Sequence, residues 1–171
     1  MNLTYTSREQ VEVYRFSWPV AIGVPLAALF LQAFIPVHVY FFRAFDLPLL
    51  VTIFFGISRR NPITGLSTGA AIGIFQDALS HQPIGLFGIA KTCIGYLASS
   101  IGVKLDVDNP GSRFLMTYGF YIVHQMICYA LRGMMGESPA WHWGHDLGLA
   151  LANSLLAVVL FAGLDRFKQR T

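Results

Sequence analysis

Six apolar runs, separated by short polar or turn-rich segments, make up most of the chain. The first, Ser17 to Phe42, carries 26 residues without a formally charged side chain, enough at ~1.5 Å per residue to cross a ~30 Å hydrocarbon core. It predicts a first span from Trp18 to Val37, with Pro25 and Pro36 tolerated where neighbouring helices satisfy the freed carbonyls. Leu47 to Ser58 is the second run, with only 12 uncharged residues. Extending it back to Phe41 reaches spanning length and brings in Arg43 and Asp46 as an interfacial i, i+3 pair; a half-buried re-entrant segment is the competing reading. Arg59, Arg60, Asn61 and Pro62 end this element. Further spans are predicted over Ile63 to Leu79, Ile84 to Val103, Phe114 to Gly133 and Leu147 to Leu164, with a turn-rich loop from Lys104 to Arg113.

Composition agrees with this pattern. Charged residues are 12% of the chain, about half the ~25% of soluble domains, and the mean hydropathy is +0.54. The expected class is an all-α integral membrane protein, with residues 1–16 as a cytoplasmic or interfacial segment, 17–165 as a single six-helix domain and 166–171 as a basic tail. Glu9 and Glu12 interrupt the start of the chain and no small-x-small site follows the first run, so no cleaved signal is expected. The net charge of +3 does not imply nucleic acid, because the basic residues are scattered between apolar runs. Across six alternating spans, Arg8, Arg15, Arg59, Arg60, Lys104, Arg113, Arg166, Lys168 and Arg170 fall on one side, Arg43 and Arg132 on the other. That asymmetry places both termini in the cytoplasm. Cys93 and Cys128 lie in apolar segments and read as reduced, structural residues.

The stretch from Gly65 to Lys91 concentrates the candidate chemistry. Gly65, Gly69, Gly73 and Asp77 recur every four residues, a helical stripe that admits a close backbone and ends in a carboxylate. Asp77 and Lys91 are ionisable groups in or near the apolar zone, where an unpaired charge is costly. With a turn near Ser80 to Ile84 they are expected to meet, as a pair or capping network fixing two helices; a proton or substrate relay is the sharper alternative. Gly85 completes the set of candidate structural or partner-contact residues: Gly65, Gly69, Gly73, Asp77, Gly85 and Lys91.

Other motifs carry less. Ser67 sits in a G-x-S-x-G pattern, but on a helical stripe rather than a strand-to-helix elbow. Pairing it with His124 as base meets a depth mismatch of roughly 10 Å at the helical rise. Trp141 to Asp146 offers two imidazoles and a carboxylate, read as an aromatic interfacial belt and helix cap rather than a metal site. Tyr118, Tyr121 and Gln125 share one face of the fifth span and should turn towards the bundle or a partner; a small-molecule pocket is the sharper alternative. No catalytic residue, metal site or cofactor is expected.

From Gly69 to Tyr96 the sequence resembles the MreD family of rod shape-determining membrane proteins. The resemblance rests on Gly69-x3-Gly73-x3-Asp77, then Pro83-Ile84-Gly85-Leu86 and Gly95-Tyr96-Leu97. No role is carried over to Lys91 or to the Trp141 to Asp146 loop. The resemblance implies a non-enzymatic subunit of the bacterial inner membrane that associates with MreC. Through MreC it would reach the actin-like MreB, the glycosyltransferase RodA and the elongation-specific class B penicillin-binding protein. A homodimer is a further expectation, and the glycine stripe is expected to pack a helix, either of this chain or of a partner. The family's fold is similar to the S components of energy-coupling factor vitamin transporters, and a substrate-binding S component is therefore the alternative.

Overall fold

A computed structural model of the chain describes residues 14–103, 109–137, 140 and 142–170. The expectations for the N-terminal segment before residue 14, for residues 104–108 and for Trp141 lie outside the described residues. Six α-helices follow in order: α1 Trp18–His38, α2 Leu47–Arg59, α3 Pro62–Leu79, α4 Leu86–Ile101, α5 Pro110–Met134 and α6 Trp143–Leu164. A 3-10 turn, Tyr40–Ala44, links α1 to α2, and another, Asp165–Phe167, follows α6. The two-residue strands β1, Tyr14–Arg15, and β2, Gln169–Arg170, pair antiparallel, with Tyr14 opposite Arg170. By length and composition, Trp18–His38, Pro110–Met134 and Trp143–Phe167 can cross a membrane.

Side-chain contacts fix the helix directions. Arg59 lies 5.9 Å from the Phe16 ring and Lys168 5.7 Å from the Phe54 ring, while Arg113 pairs with Asp165 at 2.6 Å. At the opposite end Arg132 donates to Gln82 at 2.9 Å and Tyr129 to Asp146 at 3.2 Å. Consecutive helices therefore run in alternating directions, with α2 parallel to α4.

At the centre lies α2. Every residue from Pro48 to Ser58 is buried, the pattern of a helix that is hydrophobic all round because neighbours cover every side. Leu49, Ile53, Phe54 and Ile57 join Phe120, Ala157 and Phe161 in the core. This corrects the expected extension back to Phe41. At 13 residues the helix is only ~20 Å long, and Asp46 stops it as N-cap, accepting from Leu49 N at 3.0 Å, with a proline in the first turn. The Arg43–Asp46 pair is not made either, since Arg43 lies 5.1 Å from the Tyr40 ring.

Candidate functional site

A helix that starts inside a bundle needs partners for its free N–H groups. For α2 each is supplied. Leu47 N donates to Gln32 Oε1 of α1 at 3.0 Å, position 48 is proline, and Leu49 N is taken by Asp46. Asp46 N itself donates to Asn153 Oδ1 of α6 at 2.9 Å, and Asn153 Nδ2 donates to Ala44 O at 2.8 Å. The other carboxylate oxygen of Asp46 receives Lys91 Nζ at 2.7 Å.

Lys91 is fully buried on α4, about one and a half turns from its start. Its ammonium also lies 3.4 Å from His124 Nε2 and 5.3 Å from the Phe87 ring. With lysine as donor, Nε2 accepts and the ring proton belongs on Nδ1, which has no hydrogen-bond partner within 3.5 Å among the described residues. Phe87 stacks on His124 with centroids 6.0 Å apart, and Cys128 Sγ lies 3.8 Å from Nε2. This cluster joins α1, α2, α4, α5 and α6 through one buried ion pair. Such a pair fixes geometry more than it adds stability, because desolvation offsets much of the attraction.

Asp77 does not meet Lys91, which corrects the expected partnership. The carboxylate of Asp77, also fully buried, accepts three backbone N–H groups: Gly85 at 2.8 Å, Phe87 at 2.9 Å and Gly88 at 3.1 Å. It thus caps α4 from the end of α3, placing negative charge where the helix dipole is positive. Gly85, the N-cap position, has φ +105°, a conformation that glycine adopts at little cost. Of the two predicted outcomes, capping holds for Asp77 and ion pairing for Lys91, each with a different partner.

The glycine stripe faces α4 of the same chain. A Cβ on Gly65 would collide with Ser99 Oγ and the Gly95 carbonyl, one on Gly69 with the Lys91 carbonyl, and one on Gly73 with the Phe87 carbonyl. Gly95 packs reciprocally against Gly65, and Gly102 against Ile57 of α2 with its would-be Cβ 2.9 Å from the Ile57 Cα. Gly95 enters the sequence reading only through the family resemblance and Gly88 and Gly102 not at all, although the three recur at seven-residue spacing, which is itself one helix face.

The remaining candidates fall apart or turn structural. Ser67 donates to Ile63 O on the exposed side of α3, away from the buried His124. Asp146 accepts from His142 N at 3.2 Å, capping α6. Among the described residues no three His, Cys, Asp or Glu side chains converge as a metal site. Tyr121 is buried, with Tyr118 and Gln125 half-buried beside it, so their stripe does face the bundle. Both cysteines are free, Cys128 buried and Cys93 exposed.

Fold and site together define a helical membrane protein whose buried polar groups join its own helices. Residues 14–165 match the family of the rod shape-determining protein MreD. The chain belongs to the MreD family, whose members are shape-determining membrane proteins, and rod shape determination is its role. No curated protein and no solved structure matches it.

Proposed function

We propose that this protein is a non-enzymatic scaffold subunit of the bacterial cell-elongation complex, holding MreC in the inner membrane and through it MreB, RodA and the class B penicillin-binding protein. The family match over residues 14–165 carries the reading. The use of the buried groups supports it. Asp46, Asp77, Lys91 and Asn153 are engaged in joints between helices, so contacts with other proteins fall to outward helix faces and short loops. Since α4 fills the face of Gly65, Gly69 and Gly73, a partner helix or a second copy would use another surface.

Six spans with both termini cytoplasmic fit the alternating directions. The end holding the β1–β2 pair carries Arg59, Arg60, Arg113, Arg166 and Lys168 among the described residues, against Arg43 and Arg132 at the other. This is the positive-inside asymmetry.

Co-purification with the MreC of the same organism tests the scaffold. A stable complex and loss of rod shape on depletion are expected; rods of normal width after depletion, with no complex, would sink the reading. One observation favours the S-component alternative, a fold the family's resemblance implies. A polar pocket of about 330 Å³ between α4 and α5 is lined by Phe87, Gln125, Cys128, Tyr129 and Arg132, near the lower end of the ~300–1,000 Å³ range of ligand sites. A thermal shift with a vitamin-type ligand, lost in Gln125→Leu, would support that second reading.

A further inference from the structure

We infer that the groove between α1 and α3 is a binding site for one anionic glycerophospholipid, with the phosphate at Arg59 and an acyl chain along the apolar floor. The two helices run side by side from the same end of the bundle, yet α1 buries only Pro25, Ala28 and Leu29. Between them lie two adjoining hollows of about 380 and 430 Å³ that share Leu26, Leu29 and Phe75.

The groove changes character along its length. Arg59, Thr64 and Thr68 line the hollow nearer the chain termini, and Phe30, Phe75 and Leu79 the other. From Thr64 to Leu79 the wall runs ~22 Å at the helical rise, more than the ~15 Å that one leaflet contributes to a ~30 Å core. A molecule with a polar head and a long apolar tail matches that gradient; a transmembrane helix, apolar along its length, does not need it.

Among the described residues the polar end also has no counter-charge at Arg59. Arg113 and Lys168 at the same end of the bundle pair with Asp165. Half-buried Arg59 meets only the rings of Phe16 and Phe55, at 5.9 and 5.5 Å, and no carboxylate among the described residues. Ser67, Thr92 and Ser100 return their hydroxyls to the carbonyl four residues back. Thr64 and Thr68 line the same hollow as Arg59, which sets two hydroxyls and a guanidinium along one wall, the donor types that recognise a phosphate.

The test is native mass spectrometry of the purified chain in mild detergent, with phosphatidylglycerol or phosphatidylcholine of matched acyl chains. One retained phosphatidylglycerol is expected, in preference to phosphatidylcholine. Arg59→Gln should lower its occupancy roughly fivefold, the effect of removing one basic contact at a lipid surface. Arg59→Lys should restore most of it. Ala71→Trp, which fills the floor while keeping Arg59, should displace the lipid, and Arg166→Gln, outside the groove, should change nothing. Monodisperse elution identifies the folded variants, and either Arg59→Lys or Ala71→Trp decides if Arg59→Gln does not fold. Equal retention of both lipids, or equal loss in Arg166→Gln, overturns the proposal. So does an Ala71→Trp variant that keeps the lipid but loses MreC, which would assign the groove to a protein. The inference needs only the membrane class, and its failure leaves the scaffold reading untouched.

Discussion

Replacing Lys91 by methionine removes the cation and leaves Asp46 largely buried at the start of α2. A stranded charge in such a place costs about 3–5 kcal/mol, whereas removing both charges costs much less. Lys91→Met is therefore expected to destabilise the protein by about that amount in denaturant titrations in detergent. The double variant Lys91→Met, Asp46→Asn should recover most of it, since an amide oxygen still accepts from Leu49. Equal losses in the single and double variants would mean that the ion pair does not join the helices. Asp77 differs because its partners are backbone donors. Asp77→Asn retains one acceptor oxygen and should cost about 1 kcal/mol; Asp77→Ala, with all three donors released, should cost about 2 kcal/mol or more, measurable as a drop in Tm.

Helix packing separates glycines that look alike in sequence. Gly69→Ala places a methyl against the Lys91 carbonyl and should destabilise by about 1–3 kcal/mol through overpacking. Gly119→Ala on α5, where a Cβ meets nothing within 4 Å, should be neutral or stabilising by up to ~1 kcal/mol. Thermal melts of both variants check the contrast. Because the stripe is an internal joint, substituting leucine at Gly69 and Gly73 would lose fold and partner together and could not by itself identify a partner surface. Five of the six helices were legible from uninterrupted apolar length: α1 and α3 begin or end within a residue or two of the expected spans, and α6 ends at the expected Leu164. The start of α2 is also written in Asp46-Leu47-Pro48, an N-cap followed by proline, a local signal that conflicts with the length a membrane span requires. Lys91's partner had no comparable signal. Asp46 is 45 residues away, and no periodicity links groups on two helices that become neighbours only through tertiary packing.

For the whole molecule, sidedness is the expectation easiest to check. A fluorescent protein fused after Thr171 should mature in the cytoplasm, and an alkaline phosphatase fused at Glu137 should be active outside it; the reverse pattern would overturn the orientation argued from the basic residues. The site was only partly legible at this scale, because local spacing revealed the hairpin but not the polar cluster behind it. That cluster also bears on biogenesis. The N-terminus of α2 depends on Gln32, already synthesised, on Lys91, which arrives two helices later, and on Asn153 of the last helix. As the ribosome delivers it, α2 therefore enters an incomplete bundle, with Asp46 uncompensated until α4 follows. The final joint can close only once α6 has been synthesised, so the cap of the central helix draws on both ends of the chain and stays open until synthesis is nearly over.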